Sequence, residues 1–155
     1  MTDLALIGGS KLTNKDMHMF LQSKCKSTLH SLDLSGCTLV NDFGIGHVCT
    51  AFGDRLRVLN FSGSSATDKS TEIVALWCSN LRSLDLSRCA HITDATVHTA
   101  AKCITALTTL KLDGNPAITS KTLMSYVGSR LEFAEMASHW IGYRPKVGQG
   151  RSELS

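Results

Sequence analysis

Cysteine and histidine are the residue types of this chain that could bind a metal ion, and six of each occur in its 155 residues. Structural zinc sites need these ligands in close pairs, such as Cys-x-x-Cys. The sequence has no Cys-x-x-Cys, and no two histidines lie at a metal-binding spacing. His91 follows Cys89 by two residues, which we interpret as incidental to a repeated turn. We therefore predict no metal site and no cofactor.

Two aspartates offer the other chemistry that an enzyme could use, a pair of carboxylates. Asp33 and Asp85 occupy the same place in two similar nine-residue phrases, and Asn60 occupies it in a phrase between them. If each phrase is one strand of a sheet, the two carboxylates lie roughly 10 Å apart. That separation resembles the pair of an inverting glycosidase. An open sheet has no enclosed pocket to raise the pKa of one carboxyl, so an atypical enzyme is only an alternative.

The phrases are the main regularity of the sequence. Residues 81–89 read LRSLDLSRC, residues 29–37 read LHSLDLSGC, and weaker copies lie at residues 56–64 and 107–115. Their starts are 25 to 27 residues apart, within the roughly 20–29 residues of a leucine-rich repeat. More degenerate copies begin at positions 1 and 131. The pattern predicts an α/β solenoid of about six strand-turn-helix repeats, with a parallel sheet on its concave face.

Each phrase is followed by the signals of a short, capped helix. Thr, Asn, Asp or Ser residues precede each helical stretch and can accept the free N–H groups of its first turn. Apolar residues recur behind them at helical spacing, and in the third helix we expect Ile73, Val74 and Trp77 to face the core. Gly44 and Gly46 weaken the second helix, which we expect to be short or irregular.

The cysteines follow the same period as the phrases. Cys37 and Cys89 occupy the ninth place, where a small inward side chain can satisfy backbone groups, and Ser64 and Asn115 occupy it in the other two phrases. The remaining four cysteines lie near predicted helix ends. Free cysteine is among the most buried residue types, so we expect all six to be buried thiols.

Reduced thiols indicate a reducing compartment. The N-terminal residues do not read as a secretory signal, and no stretch approaches the ~20 apolar residues of a membrane span. We therefore predict an intracellular protein that is not inserted in a membrane. The cytoplasm is the simplest location, and the cilium, nucleus and mitochondrion stay open.

The phrase LxxLxLxxCxxITDxxV, present at residues 81–97, carries a family resemblance. It resembles the cysteine-containing subclass of leucine-rich repeats, as in F-box leucine-rich-repeat proteins and proteins of the antagonist-of-mitotic-exit type. The likeness extends to about His139, although Ser64 and Asn115 stand where the subclass has cysteine. It implies the repeat fold. It also implies a protein-binding module of the kind used in ubiquitin ligases, ciliary complexes and mitochondrial assemblies.

Alternate residues of a strand face opposite sides of its sheet. The leucines at places one, four and six of each phrase face the core, so places three, five and seven form the concave surface. Asp33, Asn60 and Asp85 then form a central row that suits a protein segment with basic or hydroxyl groups. The alternative is a solvated face that binds nothing strongly. The other residues that we predict to bind protein lie at the edges and ends of this surface: Arg57, Arg82, Arg88, Lys111, Phe133, Trp140 and Tyr143.

The two ends of the repeat array differ from its middle. The leucine register begins at the first residue, whereas terminal repeats normally need a polar cap. We therefore expect a protein partner to pack on the uncapped first repeat, around Leu4, Ile7 and Met17. At the other end, Trp140 and Tyr143 either close the last repeat or anchor a partner.

The prediction for the whole chain is a non-enzymatic protein–protein interaction module, acting as an adaptor or structural subunit of a larger complex. One leucine-rich-repeat domain is expected over residues 1–143, followed by a flexible basic tail over residues 144–155. A net charge of +3 is too small to indicate nucleic-acid binding. The alternatives are a substrate-recognition subunit of a ubiquitin ligase without its own F-box, and an enzyme with an atypical concave site.

Overall fold

The computed structural model describes residues 3–5, 11–22, 29–126 and 132–133. Within these residues short strands and helices alternate along the chain. In chain order the elements are β1 (Asp3–Ala5), α1 (Asn14–Gln22), β2 (Ser31–Asp33), α2 (Asp42–Phe52), β3 (Val58–Asn60), α3 (Asp68–Trp77), β4 (Ser83–Asp85), α4 (Asp94–Cys103), β5 (Thr109–Lys111), α5 (Ser120–Ser125) and β6 (Glu132–Phe133).

The strands form one parallel sheet, in the order β1 to β6. The central leucines of the phrases lie in register, with Leu32, Leu59, Leu84 and Leu110 on neighbouring strands. All four side chains are fully buried. Because each repeat stacks its leucines on those of its neighbours, the repeats share one continuous core. The predicted α/β solenoid with a parallel sheet is therefore confirmed.

The helices begin where the polar residues of the sequence predict. Asn41, Thr67, Thr93 and Thr119 each precede a helix, and each side chain accepts an N–H of the first turn. These bonds satisfy donors that the helix itself leaves without a partner. None of the helices among the described residues is long and apolar enough to cross a membrane.

Helix α2 differs from its prediction. It is eleven residues long, although Gly44 and Gly46 lie inside it, so the expectation of a short or irregular helix was wrong. A Cβ atom at Gly44 would lie 2.5 Å from the Oδ1 atom of Asn14. Glycine therefore allows α1 to approach α2 closely, and this packing offsets the low helix propensity of glycine.

The buried face of α3 also differs from its prediction. Trp77 is 47% exposed, so its assignment to the core was wrong. Val74 is buried as predicted, and Ser70, Thr71 and Cys78, which directly follows the helix, are buried with it. Successive helical residues are rotated by about 100°, which places Trp77 at the margin of the face formed by those four residues. Two small polar residues thus occupy the positions that an apolar pattern overlooks.

Several predicted features lie outside the described residues. They include Ile7, Trp140, Tyr143 and the segment 144–155. For Phe133 the backbone is described, and it lies in β6 in register with Leu110, the central core leucine of β5. The prediction that Phe133 belongs to the concave surface was therefore wrong, because the last phrase is offset by one residue from the register that the sequence predicts. The predictions for the aromatic end and for the tail therefore stay predictions.

Candidate interaction surface

The row predicted on the concave face exists. Asp33 lies in register with Asn60, which lies in register with Asp85, and Lys111 continues the row on β5. All four residues are partly exposed. The neighbouring places on the strands hold mostly small polar residues, so this row supplies the charge in the middle of the face.

Three residues of this row, Asp33, Asn60 and Asp85, also stabilise the turns that follow their strands, which the sequence reasoning missed. Asp33 accepts the N–H of Ser35 at 2.8 Å through its Oδ1 atom. Asn60 and Asp85 accept the N–H two residues ahead of them in the same way, at 2.9 Å. Such bonds are the usual turn-forming action of Asp and Asn, and a Ser two residues after each Asp or Asn was the available signal. Each side chain therefore has one oxygen committed to its own turn.

This arrangement bears on the carboxylate pair. Strand β3 separates Asp33 from Asp85, as the sequence predicts. One oxygen of each carboxylate accepts a hydrogen bond from its own turn, and both groups lie on the open face of the sheet. The described geometry favours a structural part for these two groups over acid–base catalysis.

Two arginines lie side by side where the strands begin. Arg57 and Arg82 directly precede β3 and β4, and the N–H of Arg82 donates to the carbonyl of Arg57 at 2.8 Å. Both residues are exposed. No carboxylate of the described residues lies within ion-pair distance of either guanidinium. Like charges on adjacent strands repel each other, so a carboxylate supplied from outside would relieve the repulsion and bind both.

A pair of histidines that sequence spacing does not reveal lies between α1 and α2. The ring centroids of His18 and His47 are 4.9 Å apart, and the rings are tilted by 58°. The two residues are about one repeat apart, so stacking of repeats brings them together. Among the described residues no group of three or more His, Cys, Asp or Glu could hold a metal ion. Two imidazoles alone are too few for a structural zinc site.

The helix side of the solenoid exposes large apolar side chains. Leu76 is 75% exposed and lies next to the half-exposed Trp77. Sequence reasoning missed this surface because it placed Trp77 in the core. An open groove of about 380 Å³ lies between α3 and α4, and its lining residues are Glu72, Ala75, Leu76, Thr99 and Cys103.

A series of hydrogen bonds, which we call the aspartate ladder, connects the N-termini of neighbouring helices through Asp42, Asp68 and Asp94. Asp68, the first residue of α3, accepts the N–H and the hydroxyl of Thr93 at 2.8 and 2.7 Å, and the hydroxyl of Thr96 at 2.7 Å. Asp42 and Asp94 accept the same two groups from the N-cap residue of the following repeat. The Asp of each Thr-Asp or Asn-Asp pair therefore links one repeat to the next.

These hydrogen bonds lower the pKa of two of the aspartates, Asp68 and Asp94. Partial burial acts to raise the pKa of Asp68, but the hydrogen bonds from Thr96 and Thr93 outweigh it and hold the pKa below its ordinary value. Burial also acts to raise the pKa of Asp94, but less than for Asp68, and the hydrogen bonds from Thr119 lower this pKa below its ordinary value. Hydrogen bonds to the charged form favour that form. Asp68 and Asp94 are thus ionised, structural carboxylates.

The cysteines are mostly buried, as predicted. Cys37, Cys49, Cys78 and Cys89 are buried, whereas Cys103 is exposed, which corrects its assignment to the core. Cys25 lies outside the described residues. The neighbouring Cys78 thiol and burial raise the pKa of Cys49.

The exposed and the buried thiols are expected to differ in their rates of alkylation in the folded protein. Iodoacetamide should modify Cys103 within minutes at pH 8, while Cys49 and Cys89 stay protected, because burial also raises the pKa of Cys89 and the thiolate is the reactive form. Mass spectrometry of tryptic peptides measures the order of reaction. Modification of Cys49 or Cys89 at the rate of Cys103, under folded conditions, would contradict the described core.

A family model described as "Leucine Rich repeat" matches residues 25–45 and 78–95. These two stretches contain Cys37 and Cys89 at the ninth place of their phrases. Together with the stacked parallel strands, the match decides the type of repeat. The chain carries leucine-rich repeats.

A solved structure has the same leucine-rich-repeat fold. A chain in the crystal structure of the Rad7 and Elc1 complex in yeast superposes with a TM-score of 0.73 at 21% sequence identity. The likeness covers 84% of this chain and 32% of the yeast chain, so this chain spans about a third of the length of the yeast chain. At this identity the likeness concerns the fold.

Proposed function

We propose that the protein is a protein–protein interaction module that acts as an adaptor or structural subunit of a multiprotein complex. The observation that carries the proposal is the exposed pair of Arg57 and Arg82, which no described carboxylate neutralises. Solenoids commonly bind along their extended concave surface. Arg is also among the residues that contribute most to interface affinity.

The occupant that fits this face is an extended protein segment lying across β3 and β4. A carboxylate of the segment would be bound by Arg57 and Arg82, whose guanidinium groups offer forked donors. Farther along β4, Asp85 has one oxygen committed to its turn and is partly exposed. It would face a hydroxyl or basic group of the same segment. The charges of the face thus favour a segment that has an acidic residue near Arg57 and Arg82, where the strands begin, and no acidic residue near Asp85.

A partner on the first repeat is a further part of the proposal. Met17 is fully buried, so such a partner would contact the half-buried Leu4 and the backbone of β1 instead. The free thiols of the described core support placement in a reducing, intracellular compartment.

Site-specific cross-linking tests which surface binds. A photo-cross-linking amino acid at Val58, which is 42% exposed between Arg57 and the core leucine of β3, samples the concave face. The same amino acid at Leu76 samples the helix side. We expect Val58 to cross-link a defined partner in cell extract, and cross-links only from Leu76 would contradict the concave docking face.

Charge reversal then tests the arginine pair on the partner so identified. The double variant R57E/R82E is expected to weaken its binding at least about ten-fold, because attraction to a carboxylate becomes repulsion. The matched control is K69E/K102E, which changes the net charge equally on exposed helix positions. Equal loss in both double variants would mean that general charge, not this pair, decides binding.

Substrate recognition for a ubiquitin ligase is the second candidate function. It is favoured by the repeat phrase at residues 81–97, which resembles F-box leucine-rich-repeat proteins. Capture of ligase components that survives R57E/R82E, together with loss of a substrate in the same variant, would support this candidate over a purely structural subunit.

A further inference from the structure

The turn that follows each strand contains a residue with a left-handed backbone. At the eighth place of the phrases Gly36, Gly63 and Gly114 have φ angles of 75°, 69° and 71°. Arg88 occupies the same place with φ 55°, and among the described residues it is the non-glycine residue with positive φ. Long side chains are disfavoured in this region by contact between Cβ and the following carbonyl. The third of these four turns therefore carries conformational strain that the others avoid.

The backbone of the turn does not require arginine. The N–H of Arg88 donates to the carbonyl of Asp113 at 2.7 Å. Gly36 and Gly63 make the equivalent bonds to the following repeat, at 2.7 and 2.8 Å. Glycine at position 88 would preserve this hydrogen bond and remove the strain.

The side chain of Arg88 packs beside Gly114 in the neighbouring repeat. A Cβ atom at Gly114 would lie 3.0 Å from the Cγ atom of Arg88, so the absent side chain at 114 leaves room for the arginine stem. Arg88 is exposed, and no carboxylate of the described residues lies within ion-pair distance of its guanidinium. The guanidinium group itself therefore makes no ion pair within the described part of the chain that would offset the strain. An unfavourable backbone held at an exposed charged residue is the pattern expected where the residue serves binding.

We propose that Arg88 binds a carboxylate of the protein segment that occupies the concave face. This inference rests on the proposed function and adds a second charged contact to it. Arg82 precedes β4 and Arg88 follows it, so the two residues lie beyond opposite ends of the same strand. At ~3.3 Å per residue the two positions are roughly 15–20 Å apart. An extended segment would bridge them with two acidic residues five to seven positions apart and an uncharged or basic middle over Asp85.

Peptide selection on the full chain tests this proposal. Random twelve-residue peptides displayed on phage are selected on the immobilised protein. The enriched peptides are then synthesised, and their dissociation constants are measured by fluorescence anisotropy for the wild type, R88K and R88G. R88K keeps the charge, and R88G keeps the turn.

The expected result combines a loss of binding with a gain of stability. Enriched peptides should carry acidic residues five to seven positions apart, bind R88K within about three-fold of wild type, and bind R88G at least ten-fold more weakly. The melting temperature of R88G should rise by about 3 °C, because glycine tolerates positive φ. A structural role for Arg88 would instead lower the melting temperature.

The outcomes separate this inference from the proposed function. Peptides that bind R88G as tightly as wild type, yet lose affinity for R57E/R82E, would overturn the role of Arg88 and leave the docking face intact. Enriched peptides that are indifferent to all of these variants would overturn both. A lower melting temperature of R88G would overturn the premise that Arg88 is strained.

Discussion

Replacing Asp68 with alanine is expected to lower the free energy of unfolding by about 3 kcal/mol, since bonds to a charged group contribute about 1.5–3 kcal/mol each and are not additive. The change removes the acceptor of three hydrogen bonds, two from Thr93 and one from Thr96. Thr96 is fully buried, so its hydroxyl would lose a partner away from water. Because the bonds join α3 to α4, the loss weakens the contact between two repeats. Urea unfolding at pH 7 measures the change.

The first repeat offers a matched control for this experiment. There the same connection is made by two amides: Asn14 accepts the N–H of Asn41 at 3.2 Å, and its Nδ2 donates to Asn41 Oδ1 at 2.8 Å. Asp68→Asn alone would place a donor where the Thr93 hydroxyl needs an acceptor. The double variant D68N/T93N should rebuild the amide pair. We expect it to be more stable than the sum of its two single changes predicts.

The effect of Asp68→Asn should depend on pH in a defined direction. The folded-state pKa of Asp68 is lowered, so the unfolded state takes up a proton first as the pH falls. The stability that Asp68 contributes is fully present above the unfolded-state pKa of about 3.9 and is lost as the pH falls through the lower folded-state pKa. The difference in unfolding free energy between wild type and D68N should therefore shrink between pH 5 and pH 2. A difference that stays constant over this range would contradict the assignment.

The aspartate ladder illustrates which parts of the fold can be inferred from sequence. The leucine phrases and the Thr or Asn caps are local patterns, and each recurs at the same register, so strands, helix starts and the solenoid follow from them. The partner of Asp68 lies 25 residues away, in the next repeat. Only the relative placement of two helices shows that Asp68 bonds to a neighbouring cap in addition to favouring its own helix N-terminus.

The candidate surface was less predictable for a related reason. Sequence alternation placed Asp33, Asn60 and Asp85 on the concave face correctly, since alternation in a strand is strict. The commitment of one oxygen of each to a turn depends on the backbone after the strand. The exposure of Trp77 depends on whether small polar residues such as Ser70 fill the neighbouring helix interface. The strain at Arg88 depends on a φ angle that a nine-residue phrase does not reveal.

The side chain at the ninth place of the phrase is also expected to contribute strongly to the stability of the fold, and Asn115 shows why. Asn115 is fully buried. Its Oδ1 atom accepts the N–H of Cys89 at 2.7 Å, and its Nδ2 atom donates to the carbonyl of Leu86 at 2.9 Å. Cys89 makes the corresponding donation one repeat earlier, from its Sγ atom to the carbonyl of Phe61 at 3.4 Å. This confirms the prediction that the side chain at this place satisfies backbone groups of the neighbouring turn.

Replacing Asn115 with leucine, which has a similar volume, is expected to lower the free energy of unfolding by about 3 kcal/mol. The apolar side chain leaves the buried N–H of Cys89 and the carbonyl of Leu86 without partners, and each such group costs about 1–3 kcal/mol. Asn115→Cys should cost about half as much, because a thiol can still donate weakly to Leu86, as Cys89 does to Phe61.

Two measurements on Asn115→Leu separate hydrogen bonding from packing. Urea unfolding gives the loss of free energy, and amide hydrogen exchange should be faster at Cys89 than in wild type, because its N–H is no longer bonded. Exchange at Leu84, in the strand of the same repeat, serves as the internal reference for global unfolding. If Asn115→Leu and Asn115→Cys lose equal stability while exchange at Cys89 stays as slow as at Leu84, packing rather than the two hydrogen bonds makes this place important.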